Sequence, residues 1–174
     1  MATLIYAHSD NYVIGNKNKL PWPYLRADMT RFTIITQGHV ALMGRKTHDS
    51  IGKLLSKRVN VVISQTLPDN DKKDNIHVYD NFDVAIDDIQ ETYPKKEIFI
   101  IGGKQIYNLA LEKGIVDRIY RTIVHGKFEG DKLVPYIDYS EFKLIAEQYR
   151  EADEDNPYSL TFKTYIKKDE NSTN

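Results

Sequence analysis

Cysteine is absent from the 174-residue chain, and that absence excludes disulfides, thiolate metal sites and a thiol nucleophile in one step. An excess of charge is missing too: 24 Lys and Arg face 25 Asp and Glu, for a formal net charge of -1. Such a balance offers nothing to hold nucleic acid, so an anionic ligand must be met by a few placed cations. The aliphatic runs are strand-sized, well short of the ~20 residues that cross a bilayer. Residues 1–12 carry neither a basic n-region nor an apolar h-region. The expectation is therefore a protein that is not exported, has no membrane partner and works in the reducing cytoplasm. The histidines, His8, His39, His48, His77 and His125, show no ligand spacing, so no metal site is expected.

What is present is an ordinary globular composition, 41% hydrophobic and 28% charged, far from the signature of disorder. The length suits a single domain, expected over residues 1–168 with 169–174 as a frayed tail. β-rich runs at residues 3–8, 39–43, 58–64, 76–79, 97–101 and 118–125 alternate with helical stretches at 25–36, 45–51, 82–91 and 103–112. That alternation predicts an α/β sheet with crossover helices. Gly114 is placed to end the last helix as a left-handed cap. Beyond Phe142, two alternating stretches, 143–151 and 158–167, flank a turn-rich segment and read as an antiparallel pair closing the sheet. Residues 68–75 read as a polar surface loop.

On the helix at 25–36, Asp28 shares the stripe of Leu25, Phe32 and Ile35, with Met29 alongside. A carboxylate aimed at the core needs a partner or a function, because burial without one is costly or raises its pKa. An ion pair with Arg31, or a first-turn acid favoured by the helix dipole, is the plainer alternative. Residues 13–23 form a long irregular connection of the kind that makes active-site lids, a solvent loop pinned by Trp22 being the alternative. Two strand-to-helix turns, Gly44–Arg45–Lys46–Thr47 and Gly102–Gly103–Lys104–Gln105, admit a ligand close to the backbone while helix N-termini offer free N–H groups to an anion. Neither carries the usual dinucleotide or triphosphate fingerprint, so each is also readable as a tight turn. Ser64–Gln65 after a strand, with Arg45 as a cation, suits a 2′-phosphate better than the acidic residue of NAD enzymes does. Arg58, opening an apolar strand, has the geometry to clamp a carboxylate through two parallel hydrogen bonds, or is simply a charged strand end.

Taken in order, these segments resemble the dihydrofolate reductase family from about residue 4 to residue 166. The matching pieces are Val13–Ile14–Gly15, Asn18, Leu20–Pro21–Trp22, Ala27–Asp28–Met29 with Phe32, Met43–Gly44–Arg45–Lys46–Thr47, Ser50–Ile51–Gly52, Arg58 with Asn60, Ile101–Gly102–Gly103 with Ile106–Tyr107, Thr122, and Glu129–Gly130–Asp131. The resemblance implies an eight-stranded, mostly parallel sheet flanked by four helices, an antiparallel C-terminal hairpin and a cis Gly102–Gly103 bond. It implies reduction of 7,8-dihydrofolate to 5,6,7,8-tetrahydrofolate by NADPH, hydride going to pterin C6 and a proton to N5, in support of one-carbon metabolism and thymidylate synthesis.

The implied site follows residue by residue. Asp28 would carry catalysis with Thr122, Leu20, Trp22 and Tyr107, the carboxylate binding the pterin N3–H and 2-amino group while water protonates N5. Ile5, Tyr6, Ala7, Met29, Phe32, Thr47, Ile51, Leu55, Ile101 and Tyr107 would line the substrate pocket, and Arg58 would grip the α-carboxylate of the glutamate tail. Gly44, Arg45, Lys46, Thr47, Ser64, Gln65, Ile101, Gly102, Gly103, Lys104, Gln105 and Ile106 would hold NADPH. Ala7, Ile14, Gly15, Asn18 and Leu20 would close over its nicotinamide. Dihydrofolate, NADPH and antifolate inhibitors are the implied partners of a monomer. The chain departs from the family pattern by one extra residue between Trp22 and Asp28, at Arg31, at Ser56–Lys57 and at Gln65. Two alternatives stay open: the NADPH-dependent reductase of riboflavin synthesis, which needs neither Asp28 nor Arg58, and an inert nucleotide-binding module that kept the glycine turns.

Overall fold

The computed structural model describes residues 2–66 and 76–168; the expected loop at 68–75 and tail at 169–174 lie outside them. The elements run β1 (Ala2–Ser9), β2 (Val13–Gly15), α1 (Arg26–Thr36), β3 (Val40–Gly44), α2 (Arg45–Ile51), β4 (Val59–Ile63), β5 (Ile76–Tyr79), α3 (Phe82–Thr92), β6 (Ile98–Gly102), α4 (Lys104–Glu112), β7 (Val116–Val124), β8 (Lys132–Leu133), β9 (Phe142–Arg150) and β10 (Leu160–Lys167). An eight-stranded sheet has the order β5-β4-β3-β6-β1-β7-β10-β9. It is parallel from β5 to β7, and β10 and β9 then close it antiparallel. This is the expected architecture, with the ends of these strands within two residues of their expected positions.

The continuous apolar runs explain the sheet's centre. Strands covered on both faces need no polar alternation, and Leu4, Leu42, Val61, Ile98, Ile100 and Ile119 are all fully buried. β9 is the opposite case: after Phe142 every residue of it is exposed, and Lys143, Glu147 and Arg150 supply the charges that keep such an edge from pairing with another chain. Local chemistry sets the helix ends. Asn81 accepts from the N–H groups of Asp83 and Val84 at 2.8 and 3.2 Å to open α3. Gly114, at φ +63, closes α4 as expected: its N–H donates to Leu111 O at 3.0 Å and that of Ile115 to Ala110 O at 3.3 Å, a paired C-terminal cap.

Two expectations are corrected. The stripe of α1 faces a cleft instead of a packed core: only Thr36 is buried on this helix, while Asp28, Met29, Phe32 and Ile35 keep partial exposure. Residues 13–23 are not irregular throughout. β2 pairs with β8, Val13 opposite Leu133 and Gly15 opposite Lys132. The next four residues turn tightly, Asn16 and Lys19 exchanging N–H···O bonds of 2.9 Å each over Lys17 and Asn18 at φ 48 and 61. Both strands are too short for periodicity to show.

Gly130 fits this small sheet because it has no side chain. A Cβ there would lie 2.1 Å from Val13 Cγ1 and 2.5 Å from Gly15 O. Gly130→Ala is therefore expected to part β2 from the β8 segment at a cost of about 1–3 kcal/mol, read as a lower urea midpoint. Faster exchange of the Asp131 amide, which donates to Gly15 O at 3.1 Å, should accompany it; wild-type values of both would contradict the packing described.

Candidate active site

The parallel strands deliver their C-terminal ends to one edge of the sheet, where ligands of open α/β sheets bind. A cleft of about 1750 Å³ opens there, larger than the ~300–1,000 Å³ usual for one small ligand. It has room for two molecules side by side. Its walls come from β1 (Ile5, Tyr6, Ala7), the β2 hairpin (Ile14, Gly15, Asn18, Leu20, Trp22), α1 (Asp28, Met29, Arg31, Phe32), α2 and the loop after it (Thr47, Ile51, Leu55), and β7 (Thr122). The rest is supplied by the glycine turns (Gly44, Arg45, Lys46, Ile101, Gly102, Gly103, Lys104, Gln105, Ile106), by Tyr107, and by Ser64 with Gln65 after β4.

Asp28 is the one acid directed from α1 into this space. Burial raises its pKa, while a hydrogen bond from the Thr122 hydroxyl and the charge of Arg31 pull it back. Thr122 is itself buried and stands opposite Ala7 in the β1–β7 register, so the sheet fixes the donor and the helix fixes the acceptor. Leu25 opens α1 with no side chain to cap it. Asn156, from the β9–β10 turn, does so instead: its Oδ1 accepts from Ala27 N–H at 2.8 Å, and Asp155 pairs with Arg26 at 2.9 Å. This long-range cap sets the height of Asp28 over the cleft, and no local spacing announced it.

Arg31 is held firmly. Its guanidinium lies 5.2 Å from the Tyr120 ring centroid and 4.9 Å from that of Phe162 and donates to Thr164 Oγ1 at 3.3 Å. Cation–π contacts of this kind favour a fixed charge. Tyr107, buried, donates its hydroxyl to Ile5 O at 3.1 Å, and burial raises its pKa, so it stays protonated. Asn60 brackets Leu55, accepting from its N–H at 2.9 Å and donating to its carbonyl at 3.0 Å, which places Leu55 on the cleft wall.

The residues fit a dinucleotide. Gly102 sits at φ +122 and the Gly102–Gly103 bond is cis. A Cβ on Gly44 would meet Ile106 Cγ1 at 3.1 Å, and one on Gly102 would meet the Tyr107 hydroxyl at 3.2 Å. The backbone is thus bare where a ligand must touch it. Both α2 and α4 begin from glycines with no side-chain cap, leaving first-turn N–H groups for an anion. Lys46 and Lys104 are exposed beside them. Arg45 pairs with Asp49 at 3.4 Å on the surface, an exposed contact weak enough to be exchanged for a phosphate.

Among the expected site residues that are described, Arg58 is the exception: it does not line this cleft. It donates through Nε to Thr36 Oγ1 at 2.8 Å, through Nη1 to Ser56 O at 3.0 Å and through Nη2 to Thr33 O at 3.2 Å, tying the end of α1 to the start of β4. It also lines a separate depression with Lys57, Tyr93 and Lys96. A guanidinium has five N–H donors, so two remain for another acceptor, with Phe32 of the cleft wall 5.6 Å away. Leu20 is exposed at the hairpin tip, whereas Trp22 is buried with its ring edge-on to Phe128 at 5.7 Å. No group of metal-binding side chains occurs among the described residues, and no helix among them is long and apolar enough to cross a membrane.

Comparison with known proteins places this architecture. A family model described as dihydrofolate reductase matches residues 1–167. The chain is 38% identical over 168 residues to the dihydrofolate reductase of Bacillus subtilis (strain 168), covering 97% of this chain and 95% of that one. It is 35% identical over 160 residues to that of Haemophilus influenzae, covering 92% and 94%. Among solved structures, dihydrofolate reductase from Enterococcus faecalis, complexed with NADP(H) and RAB-propyl, superposes with a TM-score of 0.82 at 28% identity over 97% of both chains. Matched along its length in sequence and in fold, the chain belongs to the dihydrofolate reductase family.

Proposed function

We propose that the chain reduces 7,8-dihydrofolate to 5,6,7,8-tetrahydrofolate with NADPH, and that Asp28 is its central polar group. The observation that carries this reading is a half-buried carboxylate on one wall of a two-ligand cleft, its pKa raised by burial and held back by the Thr122 hydroxyl, with bare glycine turns at the other end. A planar heterocycle with an N–H and an amino group answers that carboxylate with two parallel donors. The apolar side chains of Ile5, Met29, Phe32, Ile51 and Leu55 suit its faces. Arg58 offers its two remaining N–H donors to the carboxylate of the substrate's tail.

Arg45, Lys46, Thr47, Ser64, Gln65 and the Gly102–Gly103 turn would hold NADPH, which when bound would supply the hydride for pterin C6. The protein's own part is orientation and electrostatics. Asp28 holds the pterin by its amino edge and stabilises the positive charge that develops when N5 is protonated from water. Tyr107, keeping its proton, positions Ile5 and the β1 backbone. Ile14, Gly15, Asn18 and Leu20 close the cleft against bulk water. In this reading the chain acts as a monomer, with residues 1–168 folding as one domain. The balanced charge and absence of cysteine support a cytoplasmic setting, with antifolates competing for the pterin subsite.

Purified protein should consume NADPH, followed by its absorbance, only when dihydrofolate is added; consumption with the riboflavin precursor instead would favour that reductase. Asp28→Asn should lower kcat on the order of 10²-fold or more near neutral pH, with partial recovery in acid, where protonation from solvent replaces the carboxylate. A rate unaltered across pH would remove Asp28 from the mechanism.

Arg31 provides a sharper test, because a cation beside an acid favours the ionised form. Asp28 works as a carboxylate, so activity is lost as pH falls through its pKa. Arg31→Met removes the lowering influence, raises that pKa and should move the acid limb of the pH–rate profile to higher pH. Displacement toward acid would show that Arg31 acts otherwise. Arg58→Ala should raise the dihydrofolate KM by about 10-fold or more and also lower the urea midpoint, since three inward hydrogen bonds are lost with it. An unchanged KM with a lowered midpoint would restrict Arg58 to tying α1 to β4.

A further inference from the structure

On the face of β1 opposite Ile5 and Ala7 lies a polar and aromatic column of which only Tyr6 also borders the cleft. The His8 ring is buried between Tyr6, with centroids 6.0 Å apart, and Tyr12, at 5.4 Å and 10° between planes. His8 Nδ1 lies 2.6 Å from Ser9 O, and Arg121 Nε donates to His8 Nε2 at 2.8 Å. A carbonyl only accepts and a guanidinium N–H only donates. These two partners admit one state: a neutral imidazole with its proton on Nδ1. Arg121 is fixed in turn by its place 5.1 Å from the Tyr139 ring centroid, and Tyr139 shares a short hydroxyl contact with Tyr6.

Ser9 is where the lid begins. Its carbonyl also accepts Tyr12 N–H at 2.9 Å, its hydroxyl accepts Val13 N–H at 3.0 Å and bonds to Asn11 Oδ1 at 2.7 Å, and β2 leaves directly from this turn. Tyr12 sits at φ 64, a left-handed conformation that is unfavourable for a non-glycine residue and persists only where neighbours enforce it. The stacked His8 ring and the bond from Val134 N–H to Tyr12 O, 3.0 Å, are those neighbours. Arg121 adjoins Thr122 on β7, the partner of Asp28, so one strand touches both the pocket floor and the lid's root.

We propose that His8 is a positioning residue for the lid, its Nδ1–H pinning the Ser9–Tyr12 turn from which residues 13–22 extend over the cleft, with Arg121 enforcing that tautomer. The proposal rests on the reading of residues 13–22 as the segment that closes the site. The charged and titratable groups around the ring are Arg121 from β7, Tyr6 on β1, Tyr12 in the turn, and Asp10 and His125 farther out. Burial is the main reason the imidazole stays neutral, its pKa lowered to about 4. Across the working range the pin is therefore constant, and its loss must come from substitution.

Isosteres separate the two ring nitrogens. Asn presents its amide where Nδ1 stands and can keep the bond to Ser9; Gln presents an acceptor where Nε2 stands and can keep only the bond from Arg121. Trp22, the single tryptophan, reports on the lid through acrylamide quenching, and amide exchange at Tyr12 reports on the turn. His8→Gln should speed Tyr12 exchange about 5-fold, the factor expected for one lost buried hydrogen bond. It should also increase Trp22 quenching and weaken cofactor retention more than it changes the dihydrofolate KM. His8→Asn, which loses the ring stack on Tyr12 but keeps the bond to Ser9, should disturb all three clearly less than His8→Gln. Arg121→Met, which frees the tautomer with His8 intact, should resemble His8→Gln, whereas Arg121→Gln, which can still donate, should not. Equal disturbance by Asn and Gln, or greater disturbance by Asn, would overturn the proposal in favour of simple satisfaction of Arg121. Wild-type exchange in both His8→Gln and Arg121→Met would overturn it outright. Because exchange and quenching are read without turnover, they fail or succeed independently of whether the wild-type chain reduces dihydrofolate.

Discussion

A carboxylate half-buried beside a threonine hydroxyl is the constraint around which this molecule is arranged. Asp28 gains nothing from burial alone; desolvation raises its pKa, and only Thr122 and the nearby Arg31 offset that. Such a group persists where surrounding structure holds its partners in place. Here the donor belongs to the central part of the sheet and the acid to a helix that packs loosely, its one buried residue being Thr36. Other contacts compensate for that looseness. Asn156 caps the start of α1 from a distant turn, Arg58 ties down its end from β4, and Arg31 is clasped between two rings in the middle. A helix with a weak core face is thereby set as a rigid wall, and the cleft owes its shape to polar contacts more than to apolar packing.

The other half of the cleft follows from backbone chemistry. Parallel strands end at one edge of the sheet, and two of them run straight into helices through glycines that leave the chain bare. With a net charge of -1, attraction for an anionic cofactor cannot be a property of the whole surface. The exposed cations beside the bare turns are Arg45, Lys46 and Lys104. The same economy shows in the β2 hairpin, where Leu20 is left exposed while Trp22 is anchored against Phe128 and the β7–β10 side of the sheet. One end of that segment is free to meet ligand and the other belongs to the core.

Much of this was legible beforehand. The strand and helix alternation, the Gly114 cap and the antiparallel closing pair are local or periodic signals, and each element appears where its pattern put it. Asp28 stood out because an acid on an apolar stripe is anomalous, although its stripe borders a cavity and not a core. What pattern could not reach has a common character. The pairing of β2 with β8 joins segments of three and two residues, too short to carry a period. The Asn156 cap, the Asn60 bracket around Leu55 and the inward bonds of Arg58 are one-to-one contacts between polar side chains and distant backbone, and a sequence displays the donors without saying where their acceptors fall.

By itself the sequence determined the order and kind of the elements, the positions of the glycine turns, the absence of thiol chemistry, and the identity of the one acid worth watching. These are properties of hydrophobic period, backbone freedom and residue type, all carried within a few neighbouring positions. Tertiary structure decided that Asp28 meets Thr122, that Arg31 lies between Tyr120 and Phe162, that Arg58 turns inward, and that His8 carries its proton on Nδ1. Each of those depends on which strands lie side by side and in what register, because a hydrogen bond is made or lost within an ångström and chain spacing sets no such distance.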